Sequence, residues 1–69
     1  MTLKQLRVNL GWSMWQLAEN AGISRATVLR AEKAERPISA GNAKKLADAL
    51  STGYNRTILV TEIDNLIIE

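Results

Sequence analysis

Apolar residues recur at helical spacing through the first fifty positions, and capping or turn-forming residues interrupt them. Leu3, Leu6 and Leu10 fall on one face of a first helix, which Thr2 can cap and Gly11 can end. This spacing predicts a short amphipathic helix that turns its apolar side toward a core.

The next stretch predicts two short helices around a glycine turn. Ser13 and Gln16 have the spacing of a capping box, which starts a helix over about residues 14–21. Gly22 follows where that helix must end, because glycine makes the turn without a Cβ penalty. Ser24 is a second N-cap candidate, and it predicts another helix over about residues 25–34.

A loop and a fourth helix complete this part of the chain. Residues 35–37 are predicted as a loop, because Pro37 biases the residue before it away from helix. Ser39 can cap the fourth helix. Its inward positions are Ala43, Leu46, Ala47 and Leu50. Residues 51–55, which contain Gly53, are predicted as a polar turn.

Helix, glycine turn and helix form the unit that places its second helix in a DNA major groove. Residues 13–36 resemble the helix-turn-helix of the phage-repressor and Cro-like family. Ala18 matches the small residue at the helix crossing, Gly22 the turn glycine, and Val28 the apolar anchor of the second helix. The resemblance extends over roughly residues 3–50 and implies an all-α, lambda-repressor-like domain of four to five helices.

Composition excludes several other classes of function. The 69 residues suffice for one small domain, and they include no cysteine and no histidine. A disulfide framework, a cysteine zinc site and the usual catalytic base are therefore absent. We accordingly expect no enzyme activity, no cofactor and no metal. Because no apolar run reaches the roughly 18 residues of a membrane span, and no secretory pattern is present, the expected location is cytoplasmic.

The charge is distributed unevenly along the chain. Residues 1–50 hold eight basic and four acidic residues, a charge of +4, whereas residues 51–69 hold one basic and three acidic residues, a charge of −2. This distribution fits a phosphate-facing body with a tail turned elsewhere, and it fits an ordinary solvated surface equally well.

The resemblance implies which side chains would meet DNA, because a docked second helix points its N-terminal turns at base edges. The predicted base-reading residues are Arg25, Ala26, Leu29 and Arg30. Leu29 would pack on a thymine methyl group, or else be partly buried against a neighbouring helix. The predicted phosphate contacts are Ser24, Thr27, Lys33, Arg36 and the amides that open the fourth helix near Asn42.

The resemblance also implies a structural ion pair. The family often pairs an arginine four residues before the glycine that ends the first helix with a glutamate late in the third. Arg7 and Glu32 occupy these two places and are predicted as a partly buried pair. The alternative is that Arg7 touches a phosphate.

Three residues depart from the family pattern. Met14 replaces a glutamine that commonly contacts phosphate or braces the reading helix. Trp15 replaces a solvent-facing polar residue, which suggests a protein contact, unless its ring folds back onto the domain. Ala34 replaces a glycine that often ends the third helix, so that helix is predicted to run on a little.

Residues 57–69 form an apolar tail after a DNA-binding domain that we predict to span residues 1–56. Residues 58–60 read as strand-like, Thr61 can cap a single turn, and residues 66–68 read as extended. The tail either completes the core, as a fifth helix does in the family, or forms a dimer seam. The small size of the chain favours the seam. Its predicted residues are Ile58, Val60, Ile63, Leu66 and Ile68, with Trp15 in reserve.

The function predicted from these features is sequence-specific binding of double-stranded DNA by a homodimeric transcriptional regulator, a repressor or Cro-like protein of a phage or mobile element. The alternative is a protein-interaction module on the same fold, such as an anti-activator, an antitoxin or a regulator subunit. Its partner would bind through Met14, Trp15 or the C-terminal tail.

Overall fold

The computed structural model describes residues 1–34 and 36–69, so Glu35 of the predicted loop lies outside the described residues. Over this part of the chain the α-helices are α1 (Leu3–Asn9), α2 (Met14–Ala21), α3 (Arg25–Lys33) and α4 (Ala40–Tyr54), followed by a 3-10 turn at Val60–Glu62. The predicted all-α fold is confirmed. Among the same residues, no helix has the length and apolar character needed to cross a membrane.

A hydroxyl side chain starts each of the four helices. Thr2, Ser13, Ser24 and Ser39 each accept a hydrogen bond from the backbone N–H three residues ahead. In α1 and α2 the glutamine at that third position also accepts from the amide of the capping residue, which completes a capping box. These caps satisfy amides that have no partner inside the helix, so the helix starts are fixed by local sequence.

The end of α3 differs from the prediction that this helix runs on past Ala34. Ala34 itself adopts the left-handed conformation, with φ of 54°, and its N–H donates to the carbonyl of Arg30. An alanine there carries a steric cost of about 1–2 kcal/mol that a glycine would avoid. The helix nevertheless ends at Lys33, and Pro37 disfavours helical geometry at Arg36, two residues beyond Ala34.

The predicted polar turn at residues 51–55 is wrong, because α4 continues through Tyr54 and ends at Asn55, whose φ is 55°. Packing holds this last turn in place. The Tyr54 hydroxyl donates to the carbonyl of Leu6 across 2.7 Å. Gly53 lies beneath Leu10 and Trp12, where a Cβ atom would approach Leu10 Cδ1 to 2.7 Å and the Trp12 ring to 2.8 Å.

The core lies where the four helices meet. Its largest fully buried side chains are Leu3, Leu17, Val28, Leu46 and Leu50. α2 packs against both α3 and α4, and α1 packs against α3. Of the two helices joined by the glycine turn, α2 therefore rests on α4, whereas α3 rests on α2 and α1. The outer side of α3 remains exposed.

The tail completes this core, as a 3-10 turn rather than a fifth α-helix, and its turn packs on α4. Ile58 and Ile63 are buried, so their assignment to a dimer seam is wrong: both side chains already pack inside their own chain. Val60 and Leu66 are partly buried against the same core, whereas Ile68 is 40% exposed.

Backbone hydrogen bonds attach the end of the tail to two other segments. Asp64 donates its N–H to the carbonyl of Met1 at 2.9 Å. Ile38 donates to the carbonyl of Ile67 and accepts from the N–H of Glu69, both at 2.9 Å. The extended tail thus holds the segment that leads from α3 into α4.

We predict that Gly53→Ala destabilises the fold by about 1–3 kcal/mol, although alanine normally favours a helix, because the added methyl group would overpack the Leu10 and Trp12 contact. Gly41→Ala is the matched control in the same helix, where the nearest atom would lie 3.9 Å from the new Cβ. It should stabilise by roughly 0.5–1 kcal/mol. Urea midpoints measure both changes, and two changes of the same sign would contradict the packing argument.

Candidate nucleic-acid interface

One side of α3 anchors the helix, and the opposite side faces solvent. Thr27, Val28 and Ala31 are buried. The exposed side carries Arg25, Ala26, Leu29, Arg30 and Lys33. All four residues predicted to read bases therefore share one accessible surface, and Leu29, at 38% exposed, is only partly shielded by neighbouring residues.

The turn before α3 sets the angle between the two helices of the motif. Ala18 is buried at the crossing and accepts a hydrogen bond from the N–H of Ile23 at 3.1 Å. Gly22 has φ of 71°, and a Cβ there would meet nothing within 4 Å. Glycine is therefore favoured at this position by the backbone conformation and not by lack of space.

Arg7 and Glu32 form the ion pair that the resemblance implied. Arg7 Nε donates to Glu32 Oε2 at 2.6 Å, and a second guanidinium nitrogen reaches Oε1 at 3.1 Å. A third donates to the carbonyl of Trp12 at 2.8 Å. The side chains are only 11% and 6% exposed, so Arg7 is enclosed and does not face a phosphate.

Thr27 does not belong among the phosphate contacts, which corrects the sequence prediction. The residue is 7% exposed, and its hydroxyl is already hydrogen-bonded inside the protein. It lies 2.8 Å from the Ser24 hydroxyl and accepts a hydrogen bond from Arg30 at 3.3 Å. Ser24 stays exposed, so Thr27 supports two residues of the candidate surface without reaching DNA itself.

The remaining phosphate candidates lie toward the end of α3 and the start of α4. Lys33 and Arg36 are exposed. The amide of Asn42, which was predicted to contact phosphate, donates to the Ser39 hydroxyl at 3.1 Å in the free chain. The two amides before it, at Ala40 and Gly41, have no acceptor inside the helix, because a helix leaves its first N–H groups unpaired.

Trp15 does not fold back onto the core, since it is 64% exposed. Its indole ring lies beneath the guanidinium of Arg25, with 5.1 Å between Arg25 Cζ and the ring centroid. Met14, its neighbour, instead packs partly buried against the core. Sequence reasoning missed this contact between Trp15 and Arg25, because it joins two helices across a turn and follows no helical spacing.

Within residues 1–34 and 36–69, no group of three or more Asp and Glu side chains lies close enough to hold an ion.

Comparison with known proteins agrees with this geometry. A family model described as helix-turn-helix matches residues 3–54. No curated protein and no solved structure gives a significant match.

We predict that Glu32→Gln destabilises the fold by about 3 kcal/mol or more, because it leaves the Arg7 guanidinium enclosed without its counter-charge. Asp48→Asn is the control, since it removes the Lys44–Asp48 pair, whose side chains are 70% and 61% exposed. That change should cost less than about 1 kcal/mol. Equal urea midpoints for the two variants would show that the enclosed pair contributes no more than a surface pair.

Proposed function

Because the chain belongs to the helix-turn-helix family of the Cro and lambda-repressor type, a family of DNA-binding transcription regulators, we propose that it binds an operator sequence in double-stranded DNA. The observation that carries the proposal is the exposed side of α3, which offers two arginines and no acidic side chain among its outward residues. We further propose that the operator belongs to a phage or other mobile element.

Bases would be read by side chains of two kinds. Arginine donates two hydrogen bonds to O6 and N7 of guanine, so Arg25 and Arg30 fit guanine contacts. Ala26 and Leu29 lie between them around the helix and offer apolar surface to thymine methyl groups. Arg30 is supported by its hydrogen bond to Thr27, which limits the orientations of its guanidinium.

Phosphate contacts would set the register of α3 in the groove without specifying sequence. Lys33 and Arg36 supply charge, and Ser24 supplies a hydroxyl at the start of α3. The amides of Ala40 and Gly41 supply the N-terminal end of α4, which favours negative charge. We propose residues 1–56 as the DNA-binding part and residues 57–69 as the segment that supports it.

We also propose that the chain binds as a homodimer, because a palindromic operator needs two reading helices about 34 Å apart. Ile58 and Ile63 are excluded from the seam by their burial. The exposed aliphatic side chains of the tail are Leu59, Ile67 and Ile68, and we assign the seam to them.

The second candidate function is a protein-interaction module, and the exposed ring of Trp15 favours it. Binding to random duplex DNA separates the two functions. A DNA-binding domain should lose affinity steeply with added salt, because phosphate contacts release counterions. An absence of salt-dependent binding would favour the protein module.

We predict that Arg25→Ala and Lys33→Ala weaken DNA binding in different ways. On a duplex selected from a random library, Arg25→Ala should cost about 1–3 kcal/mol and relax the preference at one base pair. Lys33→Ala should weaken matched and mismatched duplexes alike and reduce the salt dependence. If Arg25→Ala weakens both duplexes equally, Arg25 does not read a base.

We predict that Ile67→Lys shifts the chain from dimer to monomer in sedimentation and lowers operator affinity, because it places a charge in the proposed seam. Val8→Lys is the control, since Val8 is a similarly exposed aliphatic residue on α1. A wild-type chain that sediments as a monomer at high concentration, both free and on DNA, would remove the seam.

A further inference from the structure

An aromatic ring on α2 lies against the first arginine of α3. Trp15 is the second residue of α2, and Arg25 is the first residue of α3. The 5.1 Å between Arg25 Cζ and the indole centroid lies within the roughly 6 Å over which a cation and an aromatic face attract each other. Tryptophan is the strongest of the aromatic residues in this interaction.

This contact holds the Arg25 guanidinium without a conventional hydrogen bond, and among the described residues no hydrogen bond engages the Arg25 side chain. Arginine carries five N–H donors, and those of Arg25 therefore have no acceptor oxygen among the described residues. Arg7 differs from Arg25, because its guanidinium already donates hydrogen bonds to Glu32 and to the carbonyl of Trp12. Arg25 is therefore held in place by a partner that does not compete for the hydrogen bonds a base would accept.

The surroundings of the pair favour the same role. Trp15 and Arg25 line a groove of about 420 Å³ with Ala18, Glu19 and Ile23. Ala18 and Ile23 make part of its wall apolar, and Glu19 is the acidic side chain along it. Among the described residues, no carboxylate lies within 4.0 Å of the Arg25 guanidinium, so the ring is the partner on which its position depends.

We propose that Trp15 is a positioning residue for DNA recognition: it holds Arg25 in the orientation that reads a base. This role rests on the proposed function. In it, Trp15 acts on Arg25 of its own chain. Fixing a long, exposed side chain on a base costs conformational entropy. Because the ring restricts Arg25 before DNA arrives, part of that cost is already met in the free protein.

The test compares Trp15→Leu, Trp15→Phe and Val8→Ala with the wild type, on a duplex selected by the wild type and on single-base variants of it. Trp15→Leu should lose about 2- to 30-fold of the preference at the base pair that Arg25 reads, and little at the others. Trp15→Phe keeps an aromatic face and should restore most of that preference. Val8→Ala, which shortens another exposed apolar side chain, on α1, should change none of it.

Two further measurements connect the effect to Arg25. In an Arg25→Ala background, Trp15→Leu should cause no additional loss of discrimination, because the positioned group is already absent. In the free protein, the indole ring current should shift the Arg25 side-chain protons upfield in NMR spectra, and Trp15→Leu should remove that shift. Helical circular dichroism should stay unchanged, because Trp15 lies largely in solvent.

The results that would contradict the role of Trp15 differ from those that would contradict the proposed function. Equal losses on every duplex for Trp15→Leu and Trp15→Phe would mean that the indole N–H contacts phosphate, which overturns the positioning role. Unshifted Arg25 protons in the wild type would also overturn it. If the wild type discriminates between duplexes and Trp15→Leu discriminates equally well, only the role of Trp15 fails. If the wild type selects no sequence, the proposed function fails and this role fails with it.

Discussion

The ion pair between Arg7 and Glu32 determines where the candidate reading helix lies. Arg7 belongs to α1 and Glu32 to the last turn of α3, and a third hydrogen bond from Arg7 holds the carbonyl of Trp12 in the segment before α2. Three parts of the chain thus meet at one guanidinium. Because both charges are largely withdrawn from water, neither tolerates the loss of the other, and α3 has little freedom to shift.

The parts of the fold that the sequence predicted best are those that depend on neighbouring residues. Ser13, Ser24 and Ser39 mark helix starts, because the cap and the amide it satisfies are three residues apart. Helix ends were harder to predict. The local sequence around Gly53 is typical of a turn, yet Gly53 lies inside α4. Its missing side chain makes room for Leu10 and Trp12, which are distant in sequence but pack directly on it.

In the candidate interface, too, the sequence predicted the local features and missed those that depend on distant residues. Helical spacing separates the outward arginines of α3 from Val28 and Ala31, and the structure has the same division. Spacing did not predict that Thr27 is buried with its hydroxyl hydrogen-bonded inside the protein, or that Ile58 belongs to the core. Each of these depends on tertiary contacts or on the partner of a single polar atom, which periodicity does not register.

The outer side of α3 carries almost none of the packing that holds the domain together. Substitutions at Ala26, Leu29 and Arg30 should therefore cost little folding stability. A new preference for a DNA sequence can evolve through a few such substitutions. Arg25 is different, since changing it also leaves the indole of Trp15 uncovered. Descendants of this domain are thus expected to diversify at three positions of the helix freely, and at the fourth only together with a residue ten places earlier in the chain.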